Sequence, residues 1–433
     1  MLQKIYSVVA LLCWLIITPV SSTPLPYQSS AKHLGVASCA SSVCHGSIRP
    51  NDKYNIPLNE YVIWSQRDRH AKAYETLLSK ESRAIATKLG LSNAHTARIC
   101  LDCHADNIPK EQQAEGFQIT DGIGCEACHG GSENWLETHS AKDTNHQKNL
   151  KRGMYPTADF SDRATLCLSC HYGNDDKFAT HQIMGAGHPR LSFELDTFQA
   201  LQPIHFHIDD DYKQRKPTAS HTKTWALGQI AATKAQLHLL QGSLISQPLV
   251  FPELALFDCH ACHNNSMHRL DWQRRTNTSH GKSGNVPITD GHLRMTSVIA
   301  HQVDSIAAKK LVVLSQALQK ASGESRQRIV NISRQLEDVV KKLSRDLAVT
   351  QFSYTEKEQI LAELIDMGIK GEFRDYIGAE QAIMAIELII IDMNKKKLHH
   401  QNLDDLYNLV KNDETYRPIK FINALKKLKT AFN

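Results

Sequence analysis

Ten of the cysteines in this chain fall into five close pairs, and a histidine follows the second cysteine of every pair. Four pairs have two residues between the thiols: Cys100-Leu-Asp-Cys103-His104, Cys125-Glu-Ala-Cys128-His129, Cys167-Leu-Ser-Cys170-His171 and Cys259-His-Ala-Cys262-His263. The first pair is wider, Cys39-Ala-Ser-Ser-Val-Cys44-His45. Two thiols at this spacing can add across the two vinyl groups of a haem, and the next residue then sets an imidazole beneath the iron as proximal ligand. Zinc explains the pattern poorly. A tetrahedral zinc site consumes two Cys-x-x-Cys units, five is an odd number, and zinc gives no reason for a histidine after every second cysteine. A disulfide reductase would carry one reactive pair rather than five. The wide pair reads as the same attachment with a looped-out linker; its alternative is a haem with altered exposure or ligation.

A haem that carries electrons usually has a second axial ligand, which keeps the iron coordination constant between redox states. Setting the five proximal histidines aside leaves eighteen others. Context separates four. His70 lies in Trp64-Ser-Gln-Arg-Asp-Arg-His70-Ala-Lys-Ala-Tyr, a helical-looking stretch between the first two pairs. His139 follows His129 by ten residues, in Trp135-Leu-Glu-Thr-His139. His181 and His188 flank Gly185-Ala-Gly187, where glycine permits close approach of backbone to a porphyrin. His33, His95, His146, His205, His207 and His301 are weaker candidates.

The expected fold is mainly α: short helices and loops around cofactors that supply much of the apolar core, followed by a C-terminal helical bundle. Few stretches alternate over the length of a strand. Lys4, the apolar run Ile5 to Val20 and the exit Val20-Ser21-Ser22 read as an export signal over residues 1–22, with Cys13 discarded inside it. Residues 23–290 then form the cytochrome part and 291–433 a C-terminal helical domain. Helices are expected within Asn59–Leu89, stopped by Gly90, and at Thr224–Leu240; the polar stretch Arg274–Pro287 reads as a connection. Beyond it a helical stripe of Ile329, Val330, Leu336, Val339, Val340, Leu343 and Leu347 marks one of five or six helices. Thr355 with Glu358 suggests a capping box for the next helix, and another helix covers Gly378–Met393.

The formal charge of +5 does not point to nucleic acid. Two propionates per haem outweigh the single positive charge of ferric porphyrin, so five haems add about −5 when oxidised and about −10 when reduced. Haem attachment takes place outside the cytoplasm on reduced thiols, which agrees with an export signal and points to a periplasm.

The segments around the cysteine pairs resemble the cytochrome c-554 family of multihaem cytochromes, often labelled with a cytochrome c-552/4 domain. The matching stretches are Gly35-Val-Ala-Ser-Cys39 through Cys44-His45-Gly46, Trp64 to His70, Cys100-Leu-Asp-Cys103-His104-Ala105, Asp121-Gly-Ile-Gly-Cys125-Glu-Ala-Cys128-His129-Gly130, and Gly185-Ala-Gly-His188-Pro-Arg-Leu-Ser-Phe-Glu194. The resemblance implies bis-histidine haems packed in close pairs as an electron conduit, with His70 and His188 as distal ligands. It departs from the family's best-known member, which carries four haems. Two functions therefore stand side by side. One is an electron-transfer protein working between redox donor and acceptor proteins, or with a quinol-oxidising membrane cytochrome. The other is a multihaem oxidoreductase in which one open-faced haem acts on a small nitrogen or sulfur compound.

Overall fold

The computed structural model describes residues 23–50, 56–246, 252–263, 285–373, 375–412 and 415–432. The export-signal reading, with Cys13, and most of the Arg274–Pro287 connection lie outside these residues. The described residues are mainly α, 61% helical and without strands. Among the described residues, strand-like pairing is confined to two isolated bridges, His33 with Gln113 and Phe257 with Ile288.

The two halves of the chain form different kinds of helix. Up to residue 215 the helices are short: Glu60–Arg67, Lys80–Lys88, Arg98–His104, Cys125–His129, Phe160–His171, His181–Gly185 and Leu195–Leu201 are the main ones. Many are started by side chains that take up the first free N–H groups: Asp68, Ser79, Asp159, Thr180 and Glu194 each accept such bonds. The helix expected within Asn59–Leu89 is broken into several pieces. Asp68 is extended at the end of Glu60–Arg67, and Gly90, at φ +72°, stops the last piece.

Among the described residues from 291 on, seven longer helices follow: Gly291–Val303, Ser305–Ala321, Arg326–Val349, Tyr354–Ile369, Tyr376–Asp392, Lys396–Leu409 and Pro418–Phe432. The sequence suggested five or six. Asp304 explains the extra one, because this single extended residue ends one helix and caps the next through Ile306 and Ala307. The expected capping box is corrected as well. Ser353 and Glu356 form it, two residues before the Thr355 and Glu358 of the sequence reading, because Ser353 is still extended whereas Thr355 is already helical.

The apolar core runs from Trp225 to Leu428. The His221–Leu239 helix is therefore part of it, buried along most of its length between Arg326–Val349, Gly291–Val303 and Tyr376–Asp392 on one side and Phe160–His171 on the other. Burying one Leu or Ile of the 329–347 stripe contributes about 1.5–3 kcal/mol. Phe160–His171 carries the fourth cysteine pair, so this packing ties the attachment region to the bundle. No helix among the described residues is long and apolar enough to cross a membrane.

Candidate cofactor-binding site

Three of the cysteine motifs lie wholly on helices: Arg98–His104, Cys125–His129 and Phe160–His171. Residues at i, i+3 and i+4 share one helical face, so both thiols and the imidazole of each motif project to the same side. Cys259–Cys262 is also one helical turn, with His263 directly after it. The wide pair reaches a similar result by a turn. His45 N donates to Cys39 O at 3.1 Å, while Cys44 N and Gly46 N both donate to Ser41 O at 2.9 Å, so the linker loops out and His45 returns to Cys39. A Cβ on Gly46 would lie 1.9 Å from the Ala40 carbonyl oxygen, which reserves that position for glycine.

Each of the five proximal imidazoles faces a second imidazole. His45 pairs with His139 at a ring-centroid distance of 6.1 Å, His104 with His188 at 6.3 Å, and His129 with His205 at 6.3 Å. His171 pairs with His70 at 6.2 Å and His263 with His181 at 5.9 Å. A ligating imidazole nitrogen lies about 2 Å from its metal, so two rings across one metal have centroids roughly 6 Å apart. All five separations fit that span. The ring planes fall into two classes: 86°, 82° and 87° for the pairs at His104, His129 and His171, against 21° at His45 and 35° at His263.

The rings are held through their other nitrogen. His45 Nδ1 meets Glu60 at 3.0 Å, His70 Nδ1 meets Asp68 at 2.9 Å, and His104 Nδ1 donates to Ala73 O at 3.1 Å. His188 Nδ1 donates to Pro189 O at 2.7 Å, and His139 Nδ1 to Leu136 O. Fixing Nδ1 in this way leaves Nε2 for a metal, which is how ligating histidines are usually oriented. Trp135 packs edge-on against His139, and its buried Nε1 has no acceptor, a vacant donor that a haem carboxylate would suit.

The Asp121-Gly-Ile-Gly-Cys125 stretch is a cradle for His70. Ile123 N donates to His70 O at 3.0 Å, and Trp64 Nε1 donates to Ile123 O at 3.0 Å. Gly122, at φ +71°, would bring a Cβ within 2.8 Å of the His70 carbonyl. Glu126, between Cys125 and Cys128, is buried and accepts from Leu34 N, Gly35 N, Ser132 N and Ser132 Oγ at 2.6–2.9 Å. It thus binds the segment entering the first pair to the third. The Cys39 and Cys125 sulfurs are close enough to influence each other's charge, as are those of Cys103 and Cys170, so the first pair lies beside the third and the second beside the fourth.

Burial drives the proton affinity of His129 down to about 3, and it lowers that of His104, His171 and His205 as well. These rings are neutral at pH 7, the form that donates to iron. At His45 and His70 the hydrogen bonds that the rings donate to Glu60 and Asp68 win over burial and raise the affinity. Burial opposes charge on Asp68, yet hydrogen bonds from His70 and Gln202 bring its carboxyl down to about 2.

The four favoured candidates, His70, His139, His181 and His188, all lie opposite a proximal histidine. His205 stood among the weaker ones, and it also faces a proximal ring. It sits in Pro203-Ile-His-Phe-His207 with no glycine or tryptophan beside it, and His207 two residues on made the choice ambiguous. The other candidates have different neighbours. His33 is buried against Asp106 at 2.7 Å, His95 stacks edge-on to Tyr74, His301 bonds Glu363, His146 lies near Lys216 and Arg215, and His207 is exposed.

Residues 38–130 match the family described as cytochrome c554 and c-prime. No curated protein and no solved structure matches the chain.

Proposed function

We propose that this chain, whose residues 38–130 match the family of cytochrome c554 and c-prime, is a c-type cytochrome of electron transfer and a conduit of five haems, one on each cysteine pair. The thioethers would be Cys39 and Cys44, Cys100 and Cys103, Cys125 and Cys128, Cys167 and Cys170, and Cys259 and Cys262. The axial ligands would be His45 with His139, His104 with His188, His129 with His205, His171 with His70, and His263 with His181. The observation that carries this reading is that no proximal imidazole lacks an imidazole partner, at 5.9–6.3 Å. When bound, the haems supply one-electron chemistry.

The protein's own share is coordination and orientation. With two imidazoles on each iron no face would be left for a substrate, which favours the conduit over the oxidoreductase. Glu60 and Asp68, as acceptors at Nδ1, would make His45 and His70 stronger donors and so favour the ferric state of an iron held there. Burial of the His129 and His205 rings keeps them unprotonated. The conduit would be exported to the periplasm and would work between redox donor and acceptor proteins, or accept electrons from a quinol-oxidising membrane cytochrome.

Two measurements on the holoprotein test the reading. The intact mass should equal the chain plus five haems; a four-haem mass would remove the wide pair from the set. Electron paramagnetic resonance of the oxidised protein should show only low-spin iron, with nitrite, hydroxylamine, carbon monoxide and nitric oxide binding nowhere. A high-spin haem that turns over one of these compounds would make the protein an oxidoreductase instead.

A further inference from the structure

His181 and His188 face different proximal histidines, those of the fifth and the second cysteine pairs. They lie on one stretch of chain, the short His181–Gly185 helix and the turn after it, whose ends are at most about 17 Å apart. Glu253, shortly before Cys259, accepts from His181 N at 2.7 Å, so the strand of chain leading into the fifth pair caps this same helix. Arg190, two residues past His188, stacks on the Tyr376 ring at 4.9 Å. Tyr376 in turn lies against His260, which sits between Cys259 and Cys262. The Arg190 guanidinium is also close enough to Cys259 to feel its thiol. Glu380, one turn along from Tyr376 in the C-terminal bundle, accepts from Arg190 Nη2 at 2.9 Å and from Ser192 Oγ at 2.5 Å.

We propose that the fifth haem joins the relay beside the second, and that Arg190, held in place by Glu380, is the positioning residue of this junction and its fixed positive charge. The inference rests on the five-haem reading above. It also gives the C-terminal bundle a task, because Tyr376 and Glu380 belong to one of its helices. The ion pair is only partly exposed, with Arg190 at 20% and Glu380 at 18%, so its two charges are weakly screened by solvent. A positive charge near an iron favours the ferrous state, which carries one charge less.

The test is a redox titration of the holoprotein and five variants, followed haem by haem. His188→Met and His181→Met identify the second and fifth haems by their altered spectra. Arg190→Gln leaves Glu380 uncompensated and should shift the reduction equilibria of both the second and the fifth haems toward the oxidised state, by about tenfold. Glu380→Gln should shift the same two haems the opposite way, and Arg190→Lys should stay near the parent. A shift confined to one of the two haems would overturn the proposal. So would shifts in the same direction for both Gln variants, or an equal shift at the first and third haems. Intact mass separates this from failure of the function itself, because a preparation short of five haems contradicts the count, not the junction.

Discussion

Replacing His205 by Ala is the sharpest test of the ligand pairing, because nothing in the local sequence marks this residue. Its ring stands 6.3 Å from that of His129, at 82°, and burial keeps both rings neutral. On the five-haem proposal its removal takes away one of ten axial imidazoles, so one haem in five should lose its sixth ligand while the other four keep theirs. The reduced parent should bind no carbon monoxide, and the variant should bind one equivalent per chain. The oxidised variant should show a high-spin signal worth one fifth of the iron. Capture of the vacant position by His207, two residues on and exposed, would mask the effect, so the double variant His205→Ala with His207→Ala is measured alongside. If both variants remain fully low-spin and bind no carbon monoxide, His205 is not an axial ligand and the pairing argument from ring distance fails with it.

Three further outcomes follow from the same geometry. Parallel imidazole planes split the iron dπ orbitals and perpendicular planes leave them nearly degenerate, so the oxidised protein should show three strongly anisotropic low-spin haems and two rhombic ones. Any other ratio contradicts the ring angles. Glu126→Ala leaves four donors without their acceptor and should destabilise the fold by about 3–5 kcal/mol in denaturant titration, and a loss below about 1 kcal/mol would mean the carboxylate does not hold the first site to the third. Burial pushes the Glu194 carboxyl up to about 7 from an ordinary 4.5, so its folded pKa lies above its unfolded one. Its contribution to stability is complete below pH 4.5 and is lost as pH rises through 7. Glu194→Gln should therefore flatten the stability profile in that window, by up to about 3 kcal/mol, and an unchanged profile would refute the assignment.

The local geometry of the five motifs is legible because two thiols and an imidazole at fixed spacing must share a helical face or a tight turn. Four distal candidates could be singled out for a similar reason, since Trp64, Trp135 and the Gly185–Gly187 turn mark their surroundings. Which histidine faces which could not be read, because the partners are separated by as much as the distance from His70 to His171. Those pairings depend on contacts such as Ile123 with His70 and Glu126 with Leu34, which have no signature in either segment alone. The bundle was visible as a stripe in residues 329–347. Its extension back to Trp225 was not, because the His221–Leu239 helix is buried on nearly every side and mixes polar residues such as Lys223, Gln229 and Gln236 among its apolar ones, so it shows no apolar face to assign.

The proposed ligand pairs are interleaved along the chain, and this would give assembly a direction. A chain that emerges from its N-terminus completes the first pair when His139 appears, although His104 and His129 are already present. His171 then finds His70 waiting, His188 completes His104, and His205 completes His129. The fifth pair closes last, at His263, because His181 has preceded it. Coordination can thus be finished in the order first, fourth, second, third, fifth, before any helix after residue 290 has been made. The C-terminal bundle then closes on a finished set of ligands and locks it from outside, through Glu380 on Arg190 and Gln381 on the Phe193 carbonyl.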